Sequence, residues 1–238
     1  MKFFIVSDVH SFYTPMIEAL NSAGFEKDNP NHWFVSCGDN FDRGNESEQV
    51  RKFLLDLPQK TLIKGNHEDL IKECYERGYP EYHDASNGTM DTIIELGHGE
   101  RNSFDLACEV TRAKLQPLLS QMVNYFETQN YVFVHSFIPY WTEEEYADWR
   151  QGTNRDWENA RWGNPFKLCN MGYWKENKKL VFGHWHTSKE WSKILKTPEH
   201  GEGAVYDIFE GERYIGLDAC TVLSKQVNVL IVEDEFIC

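Results

Sequence analysis

The apolar residues of this chain fall into short runs, and each run is followed at once by a histidine or a carboxylate. Residues 2–7 lead to Asp8-Val9-His10, and Trp33-Phe34-Val35-Ser36 leads to Cys37-Gly38-Asp39-Asn40-Phe41-Asp42-Arg43-Gly44. Leu62-Ile63-Lys64 leads to Gly65-Asn66-His67-Glu68, Val132-Phe133-Val134 to His135, and Val181-Phe182-Gly183 to His184-Trp185-His186. Apolar runs this short, bounded by glycine and polar residues, read as buried strands. Helical spacing fills the intervals. Met16, Ile17 and Leu20 mark a helix within Ser11 to Ala23, and Val50, Phe53, Leu54 and Leu57 mark one from Glu46 that stops at Pro58. A third runs from about Asp69 to Glu76 and ends near Gly78. Strand, loop, helix, strand is a βαβ rhythm.

Residues 24–31 carry turn chemistry in Gly24, Asp28, Asn29 and Pro30. From Gly78 to Gly99 the chain is polar and irregular, which predicts a surface insertion. Residues 103–128 give the longest helical pattern, broken or kinked near Pro117 and suited to covering a sheet face. Tyr131 to Val134 returns as a strand. Between Ile138 and Lys179 lie Tyr140, Trp141, Tyr146, Trp149, Trp157, Trp162, Tyr173 and Trp174, a folded excursion read as local core. Runs near 180–183, 203–208, 213–218 and 226–232 predict a closing β-meander. The whole reads as an α/β fold, two packed sheets flanked by helices. It is expected to be a single domain over 1–238 with insertions around 78–100 and 138–179.

Composition narrows the function. The 238 residues are 41% hydrophobic and 14% aromatic, enough for a sizeable core. The formal charge of −14 disfavours non-specific binding to nucleic acid or an anionic membrane, and it suits a protein that carries cations. Cys37, Cys74, Cys108, Cys169, Cys220 and Cys238 show no CxxC spacing, so reduced thiols in a cytosol are expected. Asp8 and His10 interrupt the first apolar run before a signal-peptide core could form. A soluble, cytoplasmic protein without a membrane span is the expectation.

His, Asp and Asn delivered from five strand ends make a divalent-metal constellation, because loops at the ends of parallel strands converge on one sheet edge. Asp39 would bridge two cations, and Arg43 would hold phosphate. Two cations about 3.5–4 Å apart hold phosphate oxygens and lower the pKa of a bridging water, which yields hydroxide for in-line attack. Asn66 among imidazoles fits manganese, iron or zinc better than magnesium.

In order, Asp8-x-His10, Gly38-Asp39-x-x-Asp42-Arg43-Gly44, Gly65-Asn66-His67-Glu68, His135 and Gly183-His184-x-His186 resemble the signature of the calcineurin-like metallophosphoesterases. The Leu217-Asp218-Ala219-Cys220 strand region resembles the part of that family downstream of the last histidine motif. The resemblance implies a four-layer α/β/β/α sandwich with a dinuclear site. Gly-Asp-x-x-Asp-Arg-Gly and Gly-Asn-His-Glu look most like serine/threonine phosphoprotein phosphatases, including small phage and bacterial ones. It further implies that Asp8, His10 and His186 hold the first metal, that Asp39 bridges, and that Asn66, His135 and His184 hold the second. His67, oriented by Asp42, would protonate the leaving oxygen, and Arg43 would clamp the phosphoryl group. A second arginine is expected after His135, with Arg161 ahead of Arg150 and Arg155. The chain departs from the phosphatase pattern at Ser7, Ser11, Ser136-Phe137 and the second histidine of Gly-His-x-His. Those differences bear on substrate.

The expected function is hydrolysis of phosphomonoesters, with a phosphorylated protein as substrate. Alternatives are a nucleotide hydrolase acting on dinucleoside polyphosphates, or a phosphodiesterase, at the same site. A non-catalytic scaffold is the reading from another class, but every ligand and the acid histidine are present. The plain readings elsewhere are His32, His83, His98 and His200 as surface or loop residues, Cys37 as a small buried hydrophobe, and Asp42-Arg43 as a turn ion pair.

Overall fold

The computed structural model describes residues 1–97, 103–140 and 148–237. Nine strands are present among them: β1 (Lys2–Val6), β2 (His32–Ser36), β3 (Lys60–Leu62), β4 (Tyr125–Glu127), β5 (Tyr131–Val134), β6 (Lys179–Phe182), β7 (Phe209–Glu210), β8 (Tyr214–Gly216) and β9 (Leu230–Glu233). The helices are α1 (Tyr13–Ser22), α2 (Ser47–Asp56), α3 (Asn66–Arg77), α4 (Tyr82–Asn87), α5 (Thr89–Leu96), α6 (Phe104–Leu119), α7 (Asn154–Ala160), α8 (Pro165–Asn170), α9 (Thr187–Leu195) and α10 (Thr221–Ser224).

The strands form two mixed sheets, ordered β3-β2-β1-β9 and β4-β5-β6-β8-β7. In the first, β1, β2 and β3 are parallel, with Val6 opposite Ser36 and Ser36 opposite Leu62. In the second, β5, β6 and β8 are parallel, with Phe133 opposite Val181 and Phe182 opposite Gly216. Such registers let neighbouring strands end together, so their following loops leave from one edge.

Side-chain alternation builds the layers. Phe3, Ile5 and Val35 of one sheet meet Phe133, Val181 and Ile215 of the other in a buried cluster between the sheets. The alternate residues Phe4, Val6 and Phe34 pack with Met16, Leu20, Val50, Leu54, Ile71, Leu115 and Leu118 from the helices. On the far side Val132, Val134, Leu180 and Phe182 pack with Trp149, Trp157, Phe166 and Trp174. The result is helix, sheet, sheet, helix. Each fully buried Phe contributes about 2–3 kcal/mol of transfer free energy.

Four expectations change. The 103–128 helix ends at Leu119, because Pro117 lies in its last turn, and Tyr125–Glu127 is β4, antiparallel to β5. The polar 78–97 segment carries α4 and α5 instead of irregular chain; Ile93 and Leu96 of α5 are buried in the helix-side core, a face hidden in sequence by its polar flanks. Residues 98–100 of that segment, with Trp141 and Tyr146, lie outside the described residues. The closing strands are not a meander. Residues 203–208 form no strand, β8 runs parallel to β6 after the α9 crossover, and β9 pairs with β1 in the other sheet. Finally, α3 begins at Asn66, so Asn66 and His67 sit on its first turn. No helix among the described residues is long and apolar enough to cross a membrane, and Cys37, Cys74, Cys108, Cys169 and Cys220 are free thiols.

Candidate metal centre

The strand-end loops are tied to one another by backbone bonds. Asp8 N donates to Gly38 O at 3.1 Å, His10 N to Asp39 O at 2.9 Å, and Ser11 N to Asn40 O at 2.8 Å. Gly183 N donates to His135 O at 2.8 Å in the second sheet, and His184 N donates to Asp8 Oδ2 at 2.9 Å across the two. Glu68 is the knot beneath them. Its Oε2 accepts from Gly65 N at 2.7 Å and Asp39 N at 3.0 Å, and its Oε1 accepts from Asn40 N at 2.8 Å.

This convergence bends the backbone. Asp8, His10, Ser11, Asp39, Asp42, Arg43, His184 and Cys220 all take positive φ, between 49° and 72°, a region L-residues rarely enter. Single residues held there cost on the order of 1 kcal/mol each, and they persist where the surroundings over-determine them. Two glycines allow the close approach. A Cβ on Gly65 would lie 2.1 Å from Asp39 Oδ1, and one on Gly183 would lie 1.9 Å from Asp8 Oδ2.

Backbone acceptors set the ring orientations. His10 Nδ1 lies 3.0 Å from Phe41 O and His135 Nδ1 lies 2.8 Å from Cys37 O. With the carbonyls taking these N–H groups, each Nε2 is left as a bare lone pair. His135 Nε2 then faces two further donor atoms, Asn66 Oδ1 at 2.8 Å and His184 Nδ1 at 3.2 Å. Asp39 Oδ1 stands 3.5 Å from the same nitrogen. On the other side of Asp39, its Oδ2 is 3.8 Å from His10 Nε2 and 3.9 Å from His67 Nε2, and Asp8 Oδ1 is 4.0 Å from His10 Nε2. Two donor groups therefore share Asp39: His10, Asp39 and His67, and Asp39, His135 and His184, each with its atoms within 4.8 Å of one another.

The electrostatics suit cations. Burial, then the charges of Asp218 and Asp39, push the Asp8 carboxyl well up, and burial followed by Asp39 raises Glu68. Burial also raises Asp218. Burial opposes ionisation of Asp39 too, but His135, His67, His10 and His184 together hold it well below the usual carboxylate range. Burial drops His184 to about 3, with His135 adding to it, and burial followed by Arg43 lowers His10. Buried carboxylates beside neutral imidazoles, with lone pairs aimed at one another, are a donor set that a divalent cation satisfies and a proton does not.

His67 differs from the other imidazoles. Its Nδ1 lies 2.7 Å from Asp42 Oδ2, the same oxygen that accepts from Thr89 Oγ1 at 2.6 Å. Burial favours the neutral ring, yet Asp39 and Asp42 outweigh it and the pKa is raised. Arg43, at the surface of the cluster, donates Nη1 to His10 Nε2 at 3.0 Å and Nη2 to His67 Nε2 at 3.2 Å.

Asp8, His10, Asp39, Asp42, Arg43, Asn66, His67, His135 and His184 thus come together. Two of the arginines expected at the site are occupied otherwise. Arg161 is 5% exposed, with Nε and Nη2 each 2.6 Å from Asp69 Oδ2 and Nη1 3.0 Å from Asn124 Oδ1, so its guanidinium serves a buried ion pair instead of an open anion site. Arg150, behind it in the expectation, is bound to Glu127, Asp148 and Glu176. His186 stands beside Asp218, Nε2 to Oδ2 at 3.8 Å. Sequence reasoning gave no part to Glu68, Thr89 or Asp218. The signal for Glu68 was its place three residues after Gly65, the capping-box spacing.

Residues 1–188 match the family described as calcineurin-like phosphoesterase. Serine/threonine-protein phosphatase 2 of Escherichia coli (strain K12) is 35% identical over 97 residues, 41% of this chain and 42% of that protein. The symmetrical bis(5'-nucleosyl)-tetraphosphatase of Marinomonas sp. (strain MWYL1) is 28% identical over 141 residues, 58% of this chain and 45% of that one. The chain therefore spans less than half the length of these two relatives. A crystal structure assigned as a diadenosine tetraphosphatase superposes with a TM-score of 0.55 over 99% of this chain and 94% of its own, at 15% identity. At that identity the likeness shows the fold.

Proposed function

Because the chain belongs to the calcineurin-like phosphoesterase family, whose members are dinuclear metal-dependent hydrolases, we propose that it hydrolyses phosphomonoesters, with protein phosphoserine and phosphothreonine as substrates. The observation that carries the reading is the His67–Asp42 pair at 2.7 Å, set beside Arg43 and the Asp39-centred donor groups. A proton source, an anion-holding fork and a cation site on one rim are what ester cleavage at phosphorus requires.

Asp8, His10, His186 and Asp39 would hold one cation, and Asp39, Asn66, His135 and His184 the other, manganese before iron or zinc. Bound there, the two cations supply Lewis acidity to phosphoryl oxygens and acidify water. His67 delivers a proton from Nε2 to the departing ester oxygen. Asp42 keeps the ring in place through Nδ1 and favours its charged form. Arg43 exchanges its two imidazole partners for phosphoryl oxygens, a fork-to-oxyanion match that a lysine would not reproduce.

The protein-substrate preference rests on the intact Gly38-Asp39-x-x-Asp42-Arg43-Gly44 and Gly65-Asn66-His67-Glu68 segments, and on the net charge of −14, which opposes highly charged polyphosphates. One observation favours the second reading, a dinucleoside polyphosphate hydrolase. Trp162 is 52% exposed and sets its ring edge-on to His184 at 6.1 Å, where a nucleobase could stack. Competition between a phosphothreonine peptide and diadenosine tetraphosphate separates the two. A kcat/KM higher for the peptide, insensitive to Trp162→Ala, supports the first reading. A preference for the nucleotide that Trp162→Ala abolishes supports the second.

A further inference from the structure

Residues 164–196 reverse the charge balance of the chain. They hold seven lysines and two acidic residues, in a sequence with 24 basic and 38 acidic ones. Both α8 and α9 fall in this stretch, and together they line an open cavity of about 280 Å³. Lys167, Lys189 and Lys193 reach it, with Asn164, Asn170 and Glu190.

The lining offers donors and few acceptors. Asn164 Oδ1 accepts from Lys167 N at 2.9 Å, which caps α8, and Asn170 Oδ1 accepts from Tyr214 Oη at 3.1 Å, which ties α8 to β8. Each amide oxygen is thus used inside the fold, and each Nδ2 group has no partner among the described residues. Glu190, 8% exposed, is the carboxylate of the lining, and Lys193 Nζ donates to its Oε1 at 2.5 Å. Neither Lys167 nor Lys189 pairs with a carboxylate among the described residues; Lys189 Nζ instead lies 4.5 Å from the Trp185 ring centroid. Trp191 Nε1, donating to Asp207 O at 3.0 Å, anchors α9. Unpaired ammonium groups and amide donors on anchored helices form a receptor for anionic acceptors.

Placement says which anion. Because α9 starts directly after His186, Lys189 and Lys193 stand about 5 and 10 Å along its axis from the His184-x-His186 loop. An extended peptide advances about 3.3 Å per residue, so acidic side chains roughly two to four residues from a phosphorylated residue at the metal centre reach these lysines. Lysines spread over two helices suit a row of separate carboxylates, and Met171, 58% exposed, gives the cavity an apolar edge. No aromatic ring among the described residues lines it, so a nucleobase has nothing to stack on there. Resting on the protein-phosphatase reading, we propose that this groove docks an acidic segment flanking the phosphorylated residue of a protein substrate. The chain as a whole, at −14, repels such a segment, so the groove sets its orientation across the site.

Binding to the manganese-loaded full chain is read by fluorescence anisotropy with two labelled, unphosphorylated threonine peptides. One carries aspartates two to four residues from the threonine on both sides, the other asparagines. Wild type is compared with Lys167→Glu, Lys193→Glu and, as a control of equal charge, Lys72→Glu on α3, which belongs to the other helix layer. All three lysines are exposed, so these replacements leave the core untouched. The aspartate peptide is expected to bind wild type about tenfold more tightly than the asparagine peptide at low salt, an advantage that shrinks as salt rises. Lys167→Glu and Lys193→Glu should each weaken it about fivefold, and Lys72→Glu should not. Equal binding of the two peptides, or an equal loss in Lys72→Glu, overturns the proposal. So do groove variants that weaken binding of diadenosine tetraphosphate and not of the aspartate peptide. The binding measurement needs no catalysis: wild type that binds the aspartate peptide yet leaves its phosphothreonine form uncleaved would sink the phosphatase reading and leave the groove standing.

Discussion

Thr89 Oγ1 and His67 Nδ1 converge on a single oxygen, Asp42 Oδ2, at 2.6 and 2.7 Å, while Asp42 Oδ1 finds no hydrogen-bond partner among the described residues. The carboxylate is fully buried, so its charge is directed at His67 through one oxygen that α5 holds in position. Asp42→Asn removes that charge and keeps the shape. Asp42 helps raise the His67 pKa, so its loss lowers that pKa, and the protonated ring disappears at lower pH. The alkaline limb of the kcat profile should move to lower pH, with kcat down on the order of 10²-fold. An unmoved limb on a folded variant would leave Asp42 a purely structural part.

Glu68 organises the strand-end loops by accepting three backbone N–H groups and the Asn40 side chain. Glu68→Gln replaces one acceptor oxygen with an amide that points at those donors. The expected cost is about 3 kcal/mol of stability, read from the urea midpoint. Metal affinity should fall alongside, because Asp39 N and Gly65 N lose their partner.

Arg161 and Asp69 form a buried pair, and that contact separates packing from catalysis. Arg161→Met strands the Asp69 carboxyl and should cost about 3–5 kcal/mol, while Arg161→Met with Asp69→Leu should recover most of the loss. KM for a phosphoester should stay level in both. A KM rise in the stable double variant would return Arg161 to the substrate site.

Much of the site was legible because the sequence places its chemistry at strand ends. Asp8, His10, Asp39, Asn66, His135 and His184 each follow a buried run, and parallel registers carry those ends to one edge. Thr89 was not legible, because α5 is short and its buried face is interrupted by polar residues, so only tertiary packing reveals a hydroxyl aimed at Asp42. Arg161 was misplaced for a related reason. Its spacing after His135 cannot show that Asp69, on α3, arrives first. The β-meander failed because short strands at regular spacing do not reveal which sheet they join, and β9 crosses to β1.

Glu48 supplies a pH-dependent stabilisation through its ion pairs on α2 and α6. Arg51 bonds it at 2.8 and 2.9 Å, and Lys114 and Lys52 lie at 3.6 and 3.5 Å, which together lower its pKa from 4.5 to about 2. A depressed carboxylate stabilises above its unfolded value and loses that contribution as pH falls through its folded value. The stability gap between wild type and Glu48→Gln should be constant above pH 4.5 and close between there and about 2. Partial exposure keeps it to roughly 1 kcal/mol or less. Urea titrations at stepped pH measure it, and a gap that widens on acidification contradicts the assignment.

The most direct test is turnover of p-nitrophenyl phosphate by the chelator-stripped chain with manganese restored, alongside Asp39→Asn and His67→Asn. The expected result is that manganese restores monoester hydrolysis, Asp39→Asn abolishes it, and His67→Asn lowers kcat by on the order of 10²-fold or more while both variants remain folded. A stripped protein that rebinds cations but stays inactive with manganese, iron or zinc would contradict the account. So would full activity in Asp39→Asn.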